Sequence, residues 1–228
     1  MHITKQEVAA FKTSYCDENL LIAQALADSF ADFMIDPIYD IGSGMGDITA
    51  ASFSMREVVH VDILNYLPTL PVRHRHLVDD FFTFRPPTGI GSLLLCHVIQ
   101  FLDDDVAALG TRICQLAPER VVVVQNDNSG FMGEILAWMQ QRYPLCNPEI
   151  PIGEFQNLQR YQIAIETSVS ATVACPDYQT LATQIHYLVD FPVSTDSLRD
   201  LAQWLESRLP SPSFAIEQTI KGYQCLRT

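Results

Sequence analysis

The chain has 228 residues, with 27 acidic and 14 basic side chains and a formal net charge of −13. Proteins that bind nucleic acid gain affinity from Lys and Arg side chains that neutralise phosphates, so this balance argues against DNA or RNA as a partner. The hydrophobic fraction of 48% and the charged fraction of 18% are those of an ordinary globular protein that can bury an ample core.

Six cysteines are scattered without Cys-x-x-Cys spacing, which predicts free thiols in a reducing compartment. No apolar run approaches the roughly 20 residues that span a bilayer, and the first residues lack the charged and apolar regions of a signal peptide. We therefore expect a cytoplasmic protein, monomeric or homodimeric, that binds no membrane. His74 and His76 are separated by one residue, but no spacing fixes further ligands around them, so we expect no metal site.

Apolar residues recur at intervals of three and four positions over residues 5–34, which predicts two N-terminal helices with a break near Asp17. Short apolar runs then alternate with amphipathic segments through residue 143. The pattern predicts strands over residues 37–41, 58–61, 76–78, 92–97 and 120–125, and helices over residues 47–53, 103–116 and 131–143.

Beyond residue 143 the pattern predicts a long strand over residues 161–173, helices over 178–189 and 197–208, and a last strand over 214–226. Apolar strands that alternate with helices are typical of a parallel sheet covered on both faces. The two late strands would add an antiparallel edge. We therefore predict an α/β fold with a doubly wound, mostly parallel seven-stranded sheet and N-terminal helices.

A glycine-rich segment directly follows the first predicted strand: residues 40–47 read Asp-Ile-Gly-Ser-Gly-Met-Gly-Asp. Glycines at alternate positions let the backbone turn sharply and let a ligand approach without meeting a Cβ atom. In open α/β sheets, nucleotides bind in this strand-to-helix crevice. A nicotinamide-binding fingerprint would have its third glycine at position 47, which is aspartate, so a nicotinamide-dependent oxidoreductase is disfavoured. A glycine turn without a ligand is the simpler alternative.

Asp62 ends the second predicted strand, twenty residues beyond Gly42. A carboxylate at this place can accept hydrogen bonds from both hydroxyls of a ribose. An aspartate at a strand end is more often a turn residue, but its spacing from the glycine turn favours contact with a ligand.

The Asp-x-Gly-x-Gly-x-Gly segment and the strand-ending acid resemble the class I S-adenosylmethionine (SAM)-dependent methyltransferases, over roughly residues 36–143. The resemblance implies a Rossmann-like methyltransferase fold, with SAM as cofactor and S-adenosylhomocysteine (SAH) as product. It also implies that the glycines line the methionine and ribose, that Ile63 packs on the adenine, and that Asp80 or its neighbour Asp79 meets the adenine amino group. The cofactor-binding residues so predicted are Asp40, Gly42, Ser43, Gly44, Gly46, Asp62, Ile63, Asp79, Asp80, His97 and Ile99.

Residues 95–101 and 129–144, with the helix and strand between them, are similar to histamine N-methyltransferase. In that family an Ile-Gln pair after the fourth strand lies between cofactor and substrate, which matches Ile99 and Gln100. An acidic residue shortly after an N-terminal phenylalanine recognises the amine substrate there, which matches Asp17 after Phe11. This resemblance implies a nitrogen acceptor.

We therefore expect a SAM-dependent methyltransferase that acts on a small molecule. Its predicted catalytic residues are His97, Gln100 and Asp17. His97 is the histidine of the predicted crevice and could accept a proton near neutral pH. Each has a structural alternative: Asp17 as a helix cap, Gln100 as a surface group and His97 as a hydrogen-bonded side chain.

We expect one domain over residues 1–228, with a helical cap (1–35), a cofactor-binding core (36–143) and, from its place in the chain, a helical insert that lines the substrate pocket (177–210). An O-methyltransferase of a small metabolite and a non-catalytic SAM-binding accessory protein remain as alternatives. The charge disfavours a methyltransferase of nucleic acid.

Overall fold

The computed structural model describes residues 14–65, 69–87, 89–99, 106–127, 129–142, 160–188 and 194–226. Within these ranges seven strands form one sheet in the order β3-β2-β1-β4-β5-β7-β6. The strands are β1 (Ile38–Ile41), β2 (Val58–Asp62), β3 (His74–Val78), β4 (Ser92–Cys96), β5 (Arg120–Asn126), β6 (Tyr161–Ala174) and β7 (Ser213–Cys225). Neighbours among β1 to β5 are parallel, and β7 runs antiparallel to β5. The predicted doubly wound sheet with an antiparallel edge is confirmed.

Six α-helices accompany the strands in the described part of the chain. They are α1 (Glu18–Ala25), α2 (Asp47–Ser52), α3 (Val106–Leu116), α4 (Gly130–Arg142), α5 (Tyr178–Leu188) and α6 (Thr195–Arg208). Helix α1 continues into a π-helical turn (Leu26–Phe30). None of these helices is long and apolar enough to cross a bilayer. Of the first predicted helix, which precedes the break near Asp17, residues 5–13 lie outside the described residues.

Strand β3 begins two residues earlier than the sequence pattern indicates, at His74. Its ladder with β2 pairs His74 with Val58 and His76 with His60, so main-chain pairing extends over the polar residues. Because this edge strand begins with polar residues, the sequence pattern underestimated its length.

The chain divides into two compact units. The larger comprises Leu20–Asn126, Ile150–Val169 and Gln218–Thr228, and the smaller comprises Met1–Asn19, Asp127–Glu149 and Ser170–Glu217. Strands β6 and β7 contribute residues to both units.

The larger unit buries both faces of its sheet. On one face Ile38, Val58 and Leu94 pack with Leu26 and Phe30 from the π-helical turn. Because side chains alternate along a strand, an adjacent residue of each strand packs on the opposite face. There Tyr39, Val59 and Leu93 form a second cluster with Leu109 and Ile113 of α3. This double burial explains why these strands are continuously apolar in sequence.

The smaller unit has its own core, in which residues of α4, α5 and α6 pack on Val173, Phe214 and Ile216. Trp138 of α4 stacks on Trp204 of α6, with ring centroids 5.4 Å apart. A capping box begins α6: the Ser194 hydroxyl accepts a hydrogen bond from the Ser197 amide, and the Ser197 hydroxyl accepts one from the Ser194 amide.

Gly91, just before β4, lies against main-chain atoms in the larger unit. A Cβ atom there would lie 2.4 Å from the carbonyl oxygen of Ile35, whereas one at Gly89 would meet no atom within 4 Å. We expect Gly91→Ala to lower the free energy of unfolding by about 2 kcal/mol or more, because backbone must move to admit the methyl group. Gly89→Ala is the matched control, with an expected change within about 0.5 kcal/mol. Urea unfolding measures both, and equal midpoints would contradict the packing described.

Candidate functional site

The strand order creates a crevice at the carboxyl ends of β1 and β4. The chain passes from β1 outward to β2 and β3, then returns to β4 on the other side of β1. The connections after β1 and β4 therefore lead away from each other, which is where open α/β sheets bind ligands. Gly42 follows β1 and His97 follows β4, so both lie at this topological switch point.

The turn after β1 has left-handed backbone at all three glycines. The φ angles of Gly42, Gly44 and Gly46 are 63°, 58° and 74°. The Gly42 amide donates to the Val61 carbonyl at 2.7 Å, and the Gly46 amide donates to the Ser43 carbonyl at 2.9 Å. L-residues other than glycine pay about 1–2 kcal/mol for this conformation, so the backbone itself requires the glycines.

Close packing restricts the same turn. A Cβ atom on Gly42 would lie 2.1 Å from Cγ2 of Val98, and one on Gly46 would lie 2.7 Å from Cε1 of His60. Val98 and His60 are both buried. The turn is therefore held between the segment after β4 and the middle of β2.

Asp62, predicted to hold a ribose, ties this turn to the end of β2. Its Oδ2 accepts a hydrogen bond from the Gly44 amide at 3.0 Å, and its Oδ1 accepts one from the Leu64 amide at 3.0 Å. The residue is only 2% exposed. A carboxylate has about four lone-pair sites, so it can accept from several donors at once. The next residue, Ile63, is 66% exposed.

The structure distinguishes the two candidates after β3. The Asp79 amide donates to the Asp62 carbonyl at 3.1 Å, which places Asp79 beside the end of β2. The exposed Asp80 uses its Oδ1 to accept from the Phe82 amide at 2.7 Å. Asp80 thus begins a tight turn, whereas the backbone of Asp79 lies beside the end of β2.

Arg112 of α3, which no sequence pattern marks as a site residue, fixes that turn. Its guanidinium donates to the carbonyl of Phe81 at 2.9 Å and also to that of Phe84. It lies over the Phe84 ring, 5.6 Å from the centroid. Burial, with a smaller contribution from repulsion by Arg85, lowers the pKa of Arg112 below its usual value. The side chain remains charged at neutral pH, because the guanidinium group is too weak an acid to lose its proton there.

His97 has left-handed backbone, with φ 49°, which is uncommon for a residue other than glycine. Its amide donates to the Val124 carbonyl at 3.0 Å, and its side chain is partly buried. Ile99 is fully buried in the core rather than exposed at the crevice. Gln100 lies outside the described residues.

Asp17, the predicted substrate carboxylate, belongs to the smaller unit. It is exposed, and its Oδ1 accepts a hydrogen bond from the Thr172 amide of β6 at 2.7 Å. The preceding residue, Cys16, forms an isolated bridge with Val173. One oxygen of Asp17 therefore fastens the start of α1 to β6. Phe11 lies outside the described residues.

Asp40, the first residue of the glycine-rich segment, uses its carboxylate inside the larger unit. Its Oδ2 accepts from the Thr49 hydroxyl at 2.7 Å and lies 3.2 Å from Nδ1 of His60. A histidine inside the otherwise apolar strand β2 was the signal for this contact, and sequence reasoning missed it. Among the described residues, no group of three or more His, Cys, Asp and Glu side chains could hold a metal ion.

No protein-family model matches the sequence, and no curated protein matches it significantly. Solved structures do match the fold. A cyclopropane-fatty-acyl-phospholipid synthase-like protein from Lactobacillus casei superposes with a TM-score of 0.58 at 13% identity, over 97% of this chain and 100% of that one. The N-methyltransferase NodS from Bradyrhizobium japonicum superposes with a TM-score of 0.52 at 11% identity, over 92% and 97%.

The plantazolicin methyltransferase BpumL, in complex with a triazolic desmethylPZN analog and SAH, superposes with a TM-score of 0.52 at 11% identity, over 98% of this chain and 91% of that one. At such identities the likeness shows the fold alone. The chain therefore has the Rossmann-like fold of class I methyltransferases.

The close packing of Val98 against Gly42 can be tested with a pair of substitutions. We expect Gly42→Ala to lower the free energy of unfolding by at least about 2 kcal/mol, since left-handed backbone and overpacking both act against it. Val98→Ala removes the colliding methyl group, so the double variant should be less destabilised than the sum of the two single variants. We expect a coupling of about 0.5–3 kcal/mol from denaturant unfolding. Strict additivity would contradict the contact.

Proposed function

We propose that the protein is a SAM-dependent methyltransferase that transfers a methyl group to a nitrogen atom of a small molecule. The observation that carries the proposal is the left-handed glycine turn at the switch point of the sheet, tied through the Gly44 amide to the buried carboxylate of Asp62. The methyltransferase fold supports it, as do a structural neighbour solved with SAH and another named as an N-methyltransferase.

The residues at the crevice suit a nucleoside with a short charged tail. The Cα atoms of the glycine turn allow close approach of the ligand to main chain. In the proposal Asp62 accepts the ribose hydroxyls and Asp79 meets the adenine amino group. Ile63, an exposed aliphatic side chain beside Asp62, packs on the adenine ring. When bound, SAM supplies a methyl group that its sulfonium makes electrophilic, so the protein has mainly to position the acceptor and exclude water.

An amine acceptor must reach the methyl group with its lone pair free. We propose that His97 accepts the proton that the amine loses, because it directly follows β4 at the switch point. Gln100 is proposed to separate cofactor from substrate. We also propose a reducing compartment such as the cytoplasm, because the six cysteines lack Cys-x-x-Cys spacing.

The first test is calorimetric titration of the protein with SAM and with SAH. Asp62→Asn retains the shape of the side chain, but its amide nitrogen cannot accept a hydrogen bond. We expect binding of both ligands by the wild type and at least a tenfold loss of affinity in the variant, which is about 1.4 kcal/mol. Asp196→Asn is the matched control, because Asp196 is exposed and pairs with Arg199 on its own helix.

The outcomes of this titration separate the alternatives. Absence of binding by a folded wild-type protein would overturn the proposal, and titration with NAD would then test the disfavoured oxidoreductase. Binding of SAM without turnover on amines, phenols or carboxylates, together with a protein that co-purifies, would favour the non-catalytic accessory protein. Turnover on oxygen acceptors alone would identify an O-methyltransferase.

A second prediction concerns His97. With an amine acceptor found by screening, His97→Gln should reduce kcat by about a hundredfold or more, since general-base catalysis contributes on that scale. Affinity for SAH should change less than about threefold, or about 0.6 kcal/mol. His76→Gln, another histidine of the larger unit, is the control and should retain wild-type turnover. Unchanged turnover in His97→Gln would remove the proposed base.

A further inference from the structure

Residues 80–84, called here the 80–84 turn, follow strand β3 after a single residue and form one turn with helical hydrogen bonding. The Asp80 carbonyl accepts from the Phe84 amide at 2.8 Å and from the Thr83 amide at 3.1 Å. The Asp80 carboxylate accepts from the Phe82 amide, as a side chain that caps a helix does. A single helical turn is unstable in isolation, so this one depends on its contacts with the rest of the larger unit.

The 80–84 turn is joined to Asp79, the residue proposed to meet the adenine amino group. Oδ1 of Asp79 accepts a hydrogen bond from the Asp80 amide at 2.8 Å. The main chain of Asp79 is held separately, because its amide donates to the Asp62 carbonyl at the end of β2. The orientation of the Asp79 carboxylate therefore depends on where the turn places its first amide.

Two phenylalanines anchor the 80–84 turn in the core of the larger unit. Phe81 and Phe84 are buried in the cluster that contains Leu109 and Ile113 of α3. Phe84 also stacks on Tyr39 of β1, with ring centroids 5.8 Å apart. Apolar burial is not directional, so these contacts attach the turn to the core without fixing the direction of its peptide groups.

Arg112 of α3 supplies the directional contacts. Its Nε donates to the Phe81 carbonyl at 2.9 Å, and its Nη2 donates to the Phe84 carbonyl. The guanidinium carbon lies 6.0 Å from the centroid of the Phe81 ring and 5.6 Å from that of the Phe84 ring. Because a guanidinium is a planar, rigid fork, the two carbonyls bound to it cannot rotate independently. Arg112 therefore fixes both ends of the turn against α3.

The charges around Arg112 show that its position has a cost. Burial is the largest effect that lowers the pKa of Arg112, repulsion by Arg85 lowers it further, and attraction by Asp80 acts in the opposite direction. Hydrogen bonds from a charged donor are roughly twice as strong as those between neutral groups, which offsets this cost. A neutral side chain at position 112 would not reproduce the two contacts.

We propose that Arg112 is a positioning residue of the proposed SAM site, which orients the Asp79 carboxylate toward the adenine amino group by holding the 80–84 turn. The inference rests on the proposed function. A carboxylate accepts hydrogen bonds and an amino group donates them, so a fixed carboxylate favours adenine over a purine without this group. Arg112 therefore acts on the selectivity for adenine as well as on affinity.

The experiment compares SAH with an SAH analogue that contains purine in place of adenine and so lacks the amino group. Calorimetric titration gives the ratio of the two dissociation constants. We expect the wild type to bind SAH at least about tenfold more tightly, because the analogue leaves the carboxylate without its donor. In Arg112→Met, which retains an unbranched side chain but no donor, the ratio should fall below about threefold.

Three further variants show whether the effect passes through Asp79. Arg112→Lys retains the charge but lacks the fork, so it should have an intermediate ratio. Asp79→Ala should also lower the ratio, and addition of Arg112→Met should lower it no further, since both act through one carboxylate. Arg56→Met is the matched control, because Arg56 also donates to two carbonyls of the larger unit, those of Ala31 and Met34. It should lose stability and keep the wild-type ratio.

The ratio separates positioning from a merely structural role, because a loss of stability weakens the binding of both ligands equally. An unchanged ratio in Arg112→Met would overturn the inference and leave the proposed function intact. If this variant does not fold, a wild-type ratio in Arg112→Lys overturns it instead. Equal binding of the two ligands by the wild type would remove both Arg112 and Asp79 from these roles, while SAM binding would stand. Failure of the folded wild type to bind SAH would overturn the inference and the proposed function together.

Discussion

The left-handed backbone between β1 and α2 determines how the neighbouring residues of the larger unit must pack. Three residues with positive φ follow one another at alternate positions, and each is a glycine. Four contacts then fix the path of this segment: the Val61 carbonyl, the Asp62 carboxylate, the His60 ring and the Val98 side chain. An unsupported glycine turn would be highly mobile because glycine has the greatest backbone freedom. Here the support comes from β2 and from the segment after β4, so the turn is fixed before any ligand arrives.

Most of the fold could be predicted from the sequence, because the strands of the larger unit are buried on both faces and are apolar throughout. The bounds of β1, β2, β4 and β5 match the apolar runs to within about a residue. Strand β3 was too short in the prediction, since a strand that begins with histidine and arginine gives no apolar signal. The glycine turn and Asp62 were also readable, because their spacing along the chain is itself the signal.

The contacts that sequence reasoning missed join residues far apart in the chain. Arg112 binds carbonyls of a turn some thirty positions earlier, and no local pattern marks an arginine on a helix for that role. The partners of His60 are Asp40 and His74, twenty and fourteen positions away, and only the strand order brings them together. Contacts made by backbone groups are equally hard to predict. The Thr172 amide donates to Asp17, but almost any residue at position 172 would have such an amide. Contacts of this kind leave no local pattern, so they could not be predicted from the sequence.

The packing of His60 against Gly46 has a consequence for how the sequence could change. A larger residue at position 46 would collide with the imidazole, and a bulkier side chain at position 60 would displace the turn. His60 also lies beside Asp40 and His74, so a smaller residue at position 60 would remove one partner of the buried Asp40 carboxylate and leave Nδ1 of His74 without its hydrogen bond. These four positions are epistatic: the cost of a substitution at one depends on the residues at the other three. A different residue at any of these positions therefore requires a second substitution at one of the others.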